Sequence, residues 1–428
     1  MNAGARILPI TLILVSAVLT TARAAPPSGL PTADPLSLGV NPERLAEVSA
    51  LLQQHVDDGL IAGAVAGVAR HGQVVYLKSF GWQDIEAQLP MRTDSIFQIR
   101  SLSKPLTAVA ALQLVEQGRL SLDDPVSRYI PRFGYQFVFI NPDEPFLSAE
   151  RKPERDMTIR DLLLNTAGLS HRNSVLYQQR RVRSRADSLE QLANKVAGVP
   201  LIGDPGEQWV YSISMTILGR VIEVASGQEL DDYLAQNVYG PLEMSDSGFF
   251  VPADKVERLA RPYQVSADDE PLARVAAMEI PITQDPPLLE GAAGMVSTVP
   301  DYLRFLQALL AHGELDGTRL LEAETVAEMT RNQLDEALLP IALNPAAPML
   351  DRGWGYGLAV VVDASRSSFG VNNGEFGWIG SLGTFAWADP QSDTVAILMM
   401  QMQPSDAHGL SGAFKDLVYH SIDSNRRQ

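Results

Sequence analysis

In the stretch FQIRSLSKPLTAVAALQLVEQG, residues 97 to 118, a serine stands three residues before a lysine, at Ser101 and Lys104. On a helix that spacing puts both side chains on one face, close enough to hydrogen-bond. A serine hydroxyl is a weak nucleophile at its own pKa and needs a neighbouring base. A lysine can serve when burial lowers its pKa enough to release the neutral amine. The same residues also read as the polar start of an amphipathic helix entering the core through Leu106, Val109, Leu112 and Leu114. Spacing alone leaves both readings open.

Two later stretches sharpen the signal. GDPGEQWVYSISMTILGRVIEVASG places Tyr211 and Ser212 after a Pro-Gly turn and before a helix. A tyrosine at such an entry either packs or relays protons. In GEFGWIGSLGTFAWADP a Gly-rich segment leads into a strand, where Gly380 permits close backbone approach and Ser381 can offer a backbone N–H. No G-x-S-x-G turn supplies a rival nucleophile. The chain has no Cys, which excludes thiol catalysis and disulfides. Its six His form no convincing metal cluster, and no H-E-x-x-H or phosphate-binding Gly loop occurs. Neither a metal nor a cofactor is expected.

These residues must be carried by a large core, and a chain of 428 residues with 46% hydrophobic content supplies one. Residues 1–24 combine Arg6, an apolar run from Ile7 to Leu19 and an A-x-A pattern at Ala22 and Ala24, the layout of a cleaved signal peptide. Residues 25–40 read as a Pro-rich linker. Asn41 and Pro42 then open a helix with Leu45, Val48, Leu52 and Val56 at helical spacing. A hairpin follows, turning at His71, Gly72 and Gln73. Helical patterns dominate from Ser101 to about residue 240, and strands return in GYGLAVVVD, GTFAWADP and TVAILMMQ before a closing helix. The pattern predicts one domain, a sheet completed by distant parts of the chain with a mostly helical lobe inserted. The formal charge of −17 disfavours nucleic acid and anionic membranes as partners. Composition does not define the oligomeric state, and no anchor is expected after cleavage.

The three stretches, in this order, resemble the serine beta-lactamase and penicillin-recognising superfamily, most closely its class C-like branch with the family VIII carboxylesterases. The resemblance runs from about residue 40 to the end, and includes LSLDDPVSRYIPRF, TIRDLLLNTAGL, YGPLEMSDSGF, GAAGMVSTVPDYLRFLQALL and GWGYGLAV. It implies a beta-lactamase-like α/β (α+β) domain over 41–428, an antiparallel sheet flanked by helices, with a sheet lobe of about 41–100 and 290–428 and an inserted, mostly helical lobe of about 101–289. It further implies Ser101 as the acylated nucleophile, Lys104 as its base and Tyr211 as the proton relay. The backbone N–H groups of Ser101 and Ser381 would form the oxyanion hole.

Departures from the family pattern shape the expected substrate. Lactam-hydrolysing members usually carry Asn two residues after the Tyr, where this chain has Ile213, and begin the third motif with a cation, where this chain has Trp378, Ile379 and Gly380. Losing a charge-assisted hydrogen bond disfavours carboxylated substrates there. Ile213, Trp378, Ile379 and Gly380 are therefore expected to line a pocket for a neutral ester. Asn165 replaces a frequent His and reads as structural. The Arg-rich run HRNSVLYQQRRVRSR reads as a solvated face rather than a cleft border. Together these features predict an exported serine hydrolase acting on small carboxylic esters. The alternatives are a beta-lactamase, a D-amino-acid peptidase or an acyltransferase of the same superfamily, and a non-catalytic binding module.

Overall fold

Residues 63–70 read Gly-Ala-Val-Ala-Gly-Val-Ala-Arg, and the pleat of a strand sends such side chains alternately to opposite sides. In the computed structural model, which describes Met1 and residues 29–265, 271–275 and 282–422, this strand β1 (Gly63–Arg70) is buried on both faces. Ala64, Ala66 and Val68 join one apolar cluster, and Val65 and Ala69 join the other. β1 turns through His71 and Gly72, both in the left-handed region at φ 50° and 74°, into β2 (Gln73–Asp84). Two-residue hairpin turns require that region.

β3 (Leu89–Pro90) ends this side of the sheet, and β4 (Arg352–Trp354), β5 (Ala359–Val361), β6 (Phe376–Gly380), β7 (Thr384–Asp389) and β8 (Thr394–Met399) build the other. The spatial order is β4-β5-β6-β7-β8-β1-β2-β3 with antiparallel neighbours throughout. β8 closes on β1 with Met399 opposite Val65, so the two ends of the chain complete one sheet.

On one face lie α1 (Pro42–Asp57) and the last helix, α6 (Leu410–Ile422). Asn41 caps α1 by accepting from the N–H groups of Glu43 and Arg44. On the other face α5 (Val299–Leu310) packs so closely that a Cβ on Gly67 would stand 2.7 Å from Val299 and 2.9 Å from Leu303. Beyond it lies the helical lobe, with α2 (Ser103–Glu116), α3 (Ile159–Leu164) and α4 (Ser214–Ser226). The apolar interior runs without a break from β1 into these helices.

Two sequence expectations change. α2 is not amphipathic: every residue from Ser103 to Leu114 is buried, because α4 and the helical segments Leu230–Leu234 and Ala235–Tyr239 pack around it. Nor do residues 29–40 hang as a linker. Leu30 and Val40 are buried, Val74 donates to the Pro31 carbonyl at 2.7 Å, and Thr32 bridges Val74, so the segment is strapped along the hairpin. Apart from Met1, the segment read as a signal peptide lies outside the described residues.

Candidate active site

The chain enters α2 through a corner held from several sides. The Gln401 side chain clamps Gln98, accepting from its N–H at 3.2 Å and donating to its carbonyl at 3.1 Å. Thr384 Oγ1 donates to the Ile99 carbonyl at 3.0 Å, Tyr302 Oη donates to the Leu102 carbonyl at 2.8 Å, and Ser103 Oγ accepts from Met295 N at 3.2 Å. Within this frame Arg100 is held at φ 50°, a region non-glycine residues rarely adopt.

Ser101 follows at once. Lys104 Nζ donates to Ser101 Oγ at 3.1 Å and to the Ala292 carbonyl at 2.8 Å. Lys104 is only 2% exposed. Burial, reinforced by the charge of Arg172 and opposed by that of Glu290, holds its amine well below the ordinary lysine range. Neither bonded acceptor is a carboxylate, so nothing bonded to Nζ holds its proton by charge.

Tyr211 arrives from the other side of the lobe. Asn165 ends α3 in the left-handed region at φ 58°. Its carbonyl accepts from Val210 N at 2.9 Å, and its Oδ1 accepts from Ser212 N and Ser212 Oγ, each at 3.3 Å. That is the structural role read from the sequence. The Tyr211 ring centroid lies 4.5 Å from Lys104 Nζ, and the Trp378 indole N–H donates to Tyr211 Oη at 2.8 Å. Trp378 is held in turn by an edge-to-face contact with Trp354 at 4.7 Å, while His171 stacks on Tyr211 at 6.2 Å. Burial pushes the phenol up to about 12, against the opposing pull of Ser101, Trp378 and Arg172.

The end of β6 closes the site. A Cβ on Gly380 would meet Thr384 Oγ1 at 2.1 Å and the Ile99 carbonyl at 2.4 Å, so only glycine lets the strand reach the serine corner. Ser381 begins the following turn. Neither its backbone N–H nor that of Ser101 donates to another backbone group among the described residues. The Gly-rich segment read as leading into a strand is itself a strand up to Gly380.

Two of the expected pocket residues stand elsewhere, and a third is at the site in a different role. Ile213 has 0% exposure and packs in the main apolar cluster, because the entry to α4 turns it inward; it offers no surface to a ligand. Ile379 alternates with Trp378 along β6 and pairs with Phe385, so it faces a separate hollow of about 360 Å³ against α6, lined also by Phe369, Trp387 and Lys415. Trp378, 4% exposed, is at the site and holds Tyr211 through its indole N–H. Trp354 is a buried support whose indole donates to the Leu163 carbonyl, and Tyr356 accepts from Arg160.

The Arg-rich run divides. Arg180 and Arg181 are exposed, as a solvated face requires. Arg183 forms a bidentate pair with buried Glu290, and Arg172 stands 3.8 Å from the same carboxylate. Sequence reasoning assigned no role to Glu290, Ala292 or His171. The GAAGMVSTVP stretch carried a usable signal, since Gly291 lets its backbone pass Thr107 of α2 at a distance where a Cβ would be 2.9 Å away. Among the described residues no group of three or more His, Asp or Glu is placed to hold a metal ion.

The family model described as Beta-lactamase matches residues 48–419. The chain belongs to the beta-lactamase family. Within that family it is 31% identical over 417 residues to Esterase EstB of Burkholderia gladioli, covering 90% of this chain and 98% of the esterase. It is 32% identical over 361 residues to Protein Rv1367c of Mycobacterium tuberculosis, covering 83% and 89% of the two chains. Among solved structures, EstCE1, described as a hydrolase with promiscuous acyltransferase activity, superposes with a TM-score of 0.74 at 27% identity, covering 89% of this chain and 98% of that one. The antiparallel sheet with its helical lobe is the beta-lactamase-family fold.

Proposed function

We propose that this protein is an exported serine hydrolase that cleaves small carboxylic esters through an acyl-enzyme on Ser101. One observation carries the reading: a buried lysine, with no carboxylate bonded to it, donates to the hydroxyl of the serine one turn before it. The esterase and the hydrolase among its relatives support ester hydrolysis or acyl transfer as the reaction class.

The steps follow from the geometry. The neutral Lys104 amine takes the Ser101 proton as Oγ attacks the ester carbonyl. The oxyanion is received by the backbone N–H groups of Ser101 and Ser381, donors that need no reorganisation. Tyr211 gives its phenol proton to the departing alkoxide and regains one from the Lys104 ammonium beneath its ring. Water then attacks the acyl-enzyme by the same route in reverse. The Trp378 indole stabilises whatever negative charge gathers on Tyr211 Oη.

Export rests on the charged, apolar and A-x-A order of residues 1–24. Among the described residues no helix is long and apolar enough to cross a membrane. A second reading, acyl transfer to an alcohol, has the EstCE1 likeness in its favour, and adding an alcohol acceptor to the assay separates the two. The test of the main reading is Ser101→Ala, which should abolish hydrolysis of a p-nitrophenyl ester and labelling by a fluorophosphonate. Retained turnover, or a label on another residue, overturns it.

A further inference from the structure

A cavity of about 230 Å³ opens beside the serine corner, with Arg100, Arg183, Arg185, Glu290, Asp285 and Met295 in its wall. It adjoins the reaction centre, because Arg100 precedes Ser101 and Ala293, which also lines it, follows the residue whose carbonyl holds Lys104. Among the described residues three guanidiniums, those of Arg100, Arg183 and Arg185, share the wall with the carboxylates of Glu290 and Asp285, and Arg172 stands close behind at Glu290.

Their engagements differ. Arg183 is committed to Glu290 through two hydrogen bonds, and Arg172 leans on the same carboxylate. Burial opposes ionisation of Glu290, but Arg183, Arg172 and Arg100 outweigh it and hold the carboxyl below the usual range. Arg100 is different: no hydrogen bond or ion pair engages its guanidinium among the described residues, although it is half-buried. Burial, followed by the charge of Arg172, pulls it down to about 10, so it stays charged at neutral pH. A half-buried fork of five donors without an acceptor is costly unless something fills the place. The left-handed backbone at Arg100 holds this fork at the cavity, one residue before the nucleophile.

We infer that the cavity receives a carboxylate carried by the substrate, bound by the Arg100 guanidinium, so that the preferred substrates are anionic esters with a carboxylate close to the scissile bond. The inference rests on the serine-hydrolase reading above and narrows its substrate class. It also reverses the expectation of a neutral ester: the third motif lacks a cation, but the corner before Ser101 supplies one from the other side.

Matched ester pairs test it. p-Nitrophenyl hemiglutarate against its methyl ester places the charge on the acyl side, and 4-acetoxybenzoate against its methyl ester places it on the leaving group. In at least one pair the anion should lead in kcat/KM by about ten- to hundredfold, the usual worth of a charge-assisted bond. That ratio should fall towards one in Arg100→Gln, fall less in Arg100→Lys, and shrink as NaCl is raised. Being internal to each variant, it is insensitive to a loss of folded enzyme. Ratios near or below one in the wild type, or unmoved by Arg100→Gln, overturn the inference; if Ser101 still reacts with fluorophosphonate and neutral esters are cleaved, the hydrolase reading survives. If no ester is cleaved, that reading fails, and calorimetry with glutarate on Ser101→Ala decides the cavity. Binding lost on adding Arg100→Gln supports it, and no binding refutes it.

Discussion

Among the described residues two lysines are buried, Lys104 in the helical lobe and Lys415 on α6 behind the sheet, and they have been put to opposite uses. Lys415 is ion-paired with Glu375, whose other oxygen accepts from Tyr419 Oη at 2.7 Å, and its Nζ lies 4.7 Å from the Trp387 ring centroid. Burial pulls its amine down to about 8, against the upward pull of Glu375. Lys104 is as deeply buried but bonds only a hydroxyl and a carbonyl. Burial alone lowers a lysine's pKa; the partner decides whether the proton leaves. With a carboxylate the lysine is a strut, and without one it is free to serve as the base proposed for Ser101.

The largest contrast should come from removing each amine. Lys104→Ala is expected to lower kcat by about 10²- to 10⁴-fold with little loss of stability, and Lys104→Arg should not restore it, since a guanidinium does not release its proton. Steady-state ester kinetics beside a melting curve read both. Lys415→Met should do the reverse, destabilising the fold by about 3–5 kcal/mol by stranding the Glu375 carboxylate while kcat of the folded fraction stays unchanged. Urea titration measures this, and a double variant with Glu375→Leu should recover much of the loss.

pH sharpens the comparison. Both amines titrate lower in the folded chain than the ordinary 10.5, so between the two values the unfolded chain binds more protons and stability rises with pH. For Lys415 the window runs from about 8 to 10.5, and the stability advantage of wild type over Lys415→Met should widen across it. The Lys104 amine instead appears in the rate, which should climb as pH passes its depressed pKa and level off above. Smaller still, Trp378→Phe removes one donor from Tyr211 and should lower kcat by about fivefold, roughly 1 kcal/mol, while pushing the phenol further up. Ile213→Val should reduce stability by about 1 kcal/mol and leave ester preference untouched, because its side chain is in the core.

Motif order located Ser101, Lys104 and Tyr211, and strand patterning found the sheet, because both are written in local residue types and spacing. What escaped depended on neighbours remote in sequence. The facing of Ile379 follows from the register of β6 on β7, and the inward turn of Ile213 from the Asn165 clamp. The Arg-rich run splits between solvent and cleft because Glu290, more than a hundred residues later, captures Arg183. Nothing near Lys415 in the sequence announces Glu375, forty residues before it. Arg100 was hidden for a simpler reason: its importance lies in a backbone angle and an absent partner, which composition does not record.

The pairing of β8 with β1 also governs when this molecule can exist. Val65 has been made long before Met399, its partner in the middle of the sheet. A chain appearing in order from its first residue must keep an apolar strand waiting on both faces until residue 394 and beyond have followed. Contacts of such long sequence separation slow folding. The central sheet therefore cannot close until β8 has been made, and a chain stopped short of β8 is left with the exposed edge that invites aggregation rather than with a smaller enzyme.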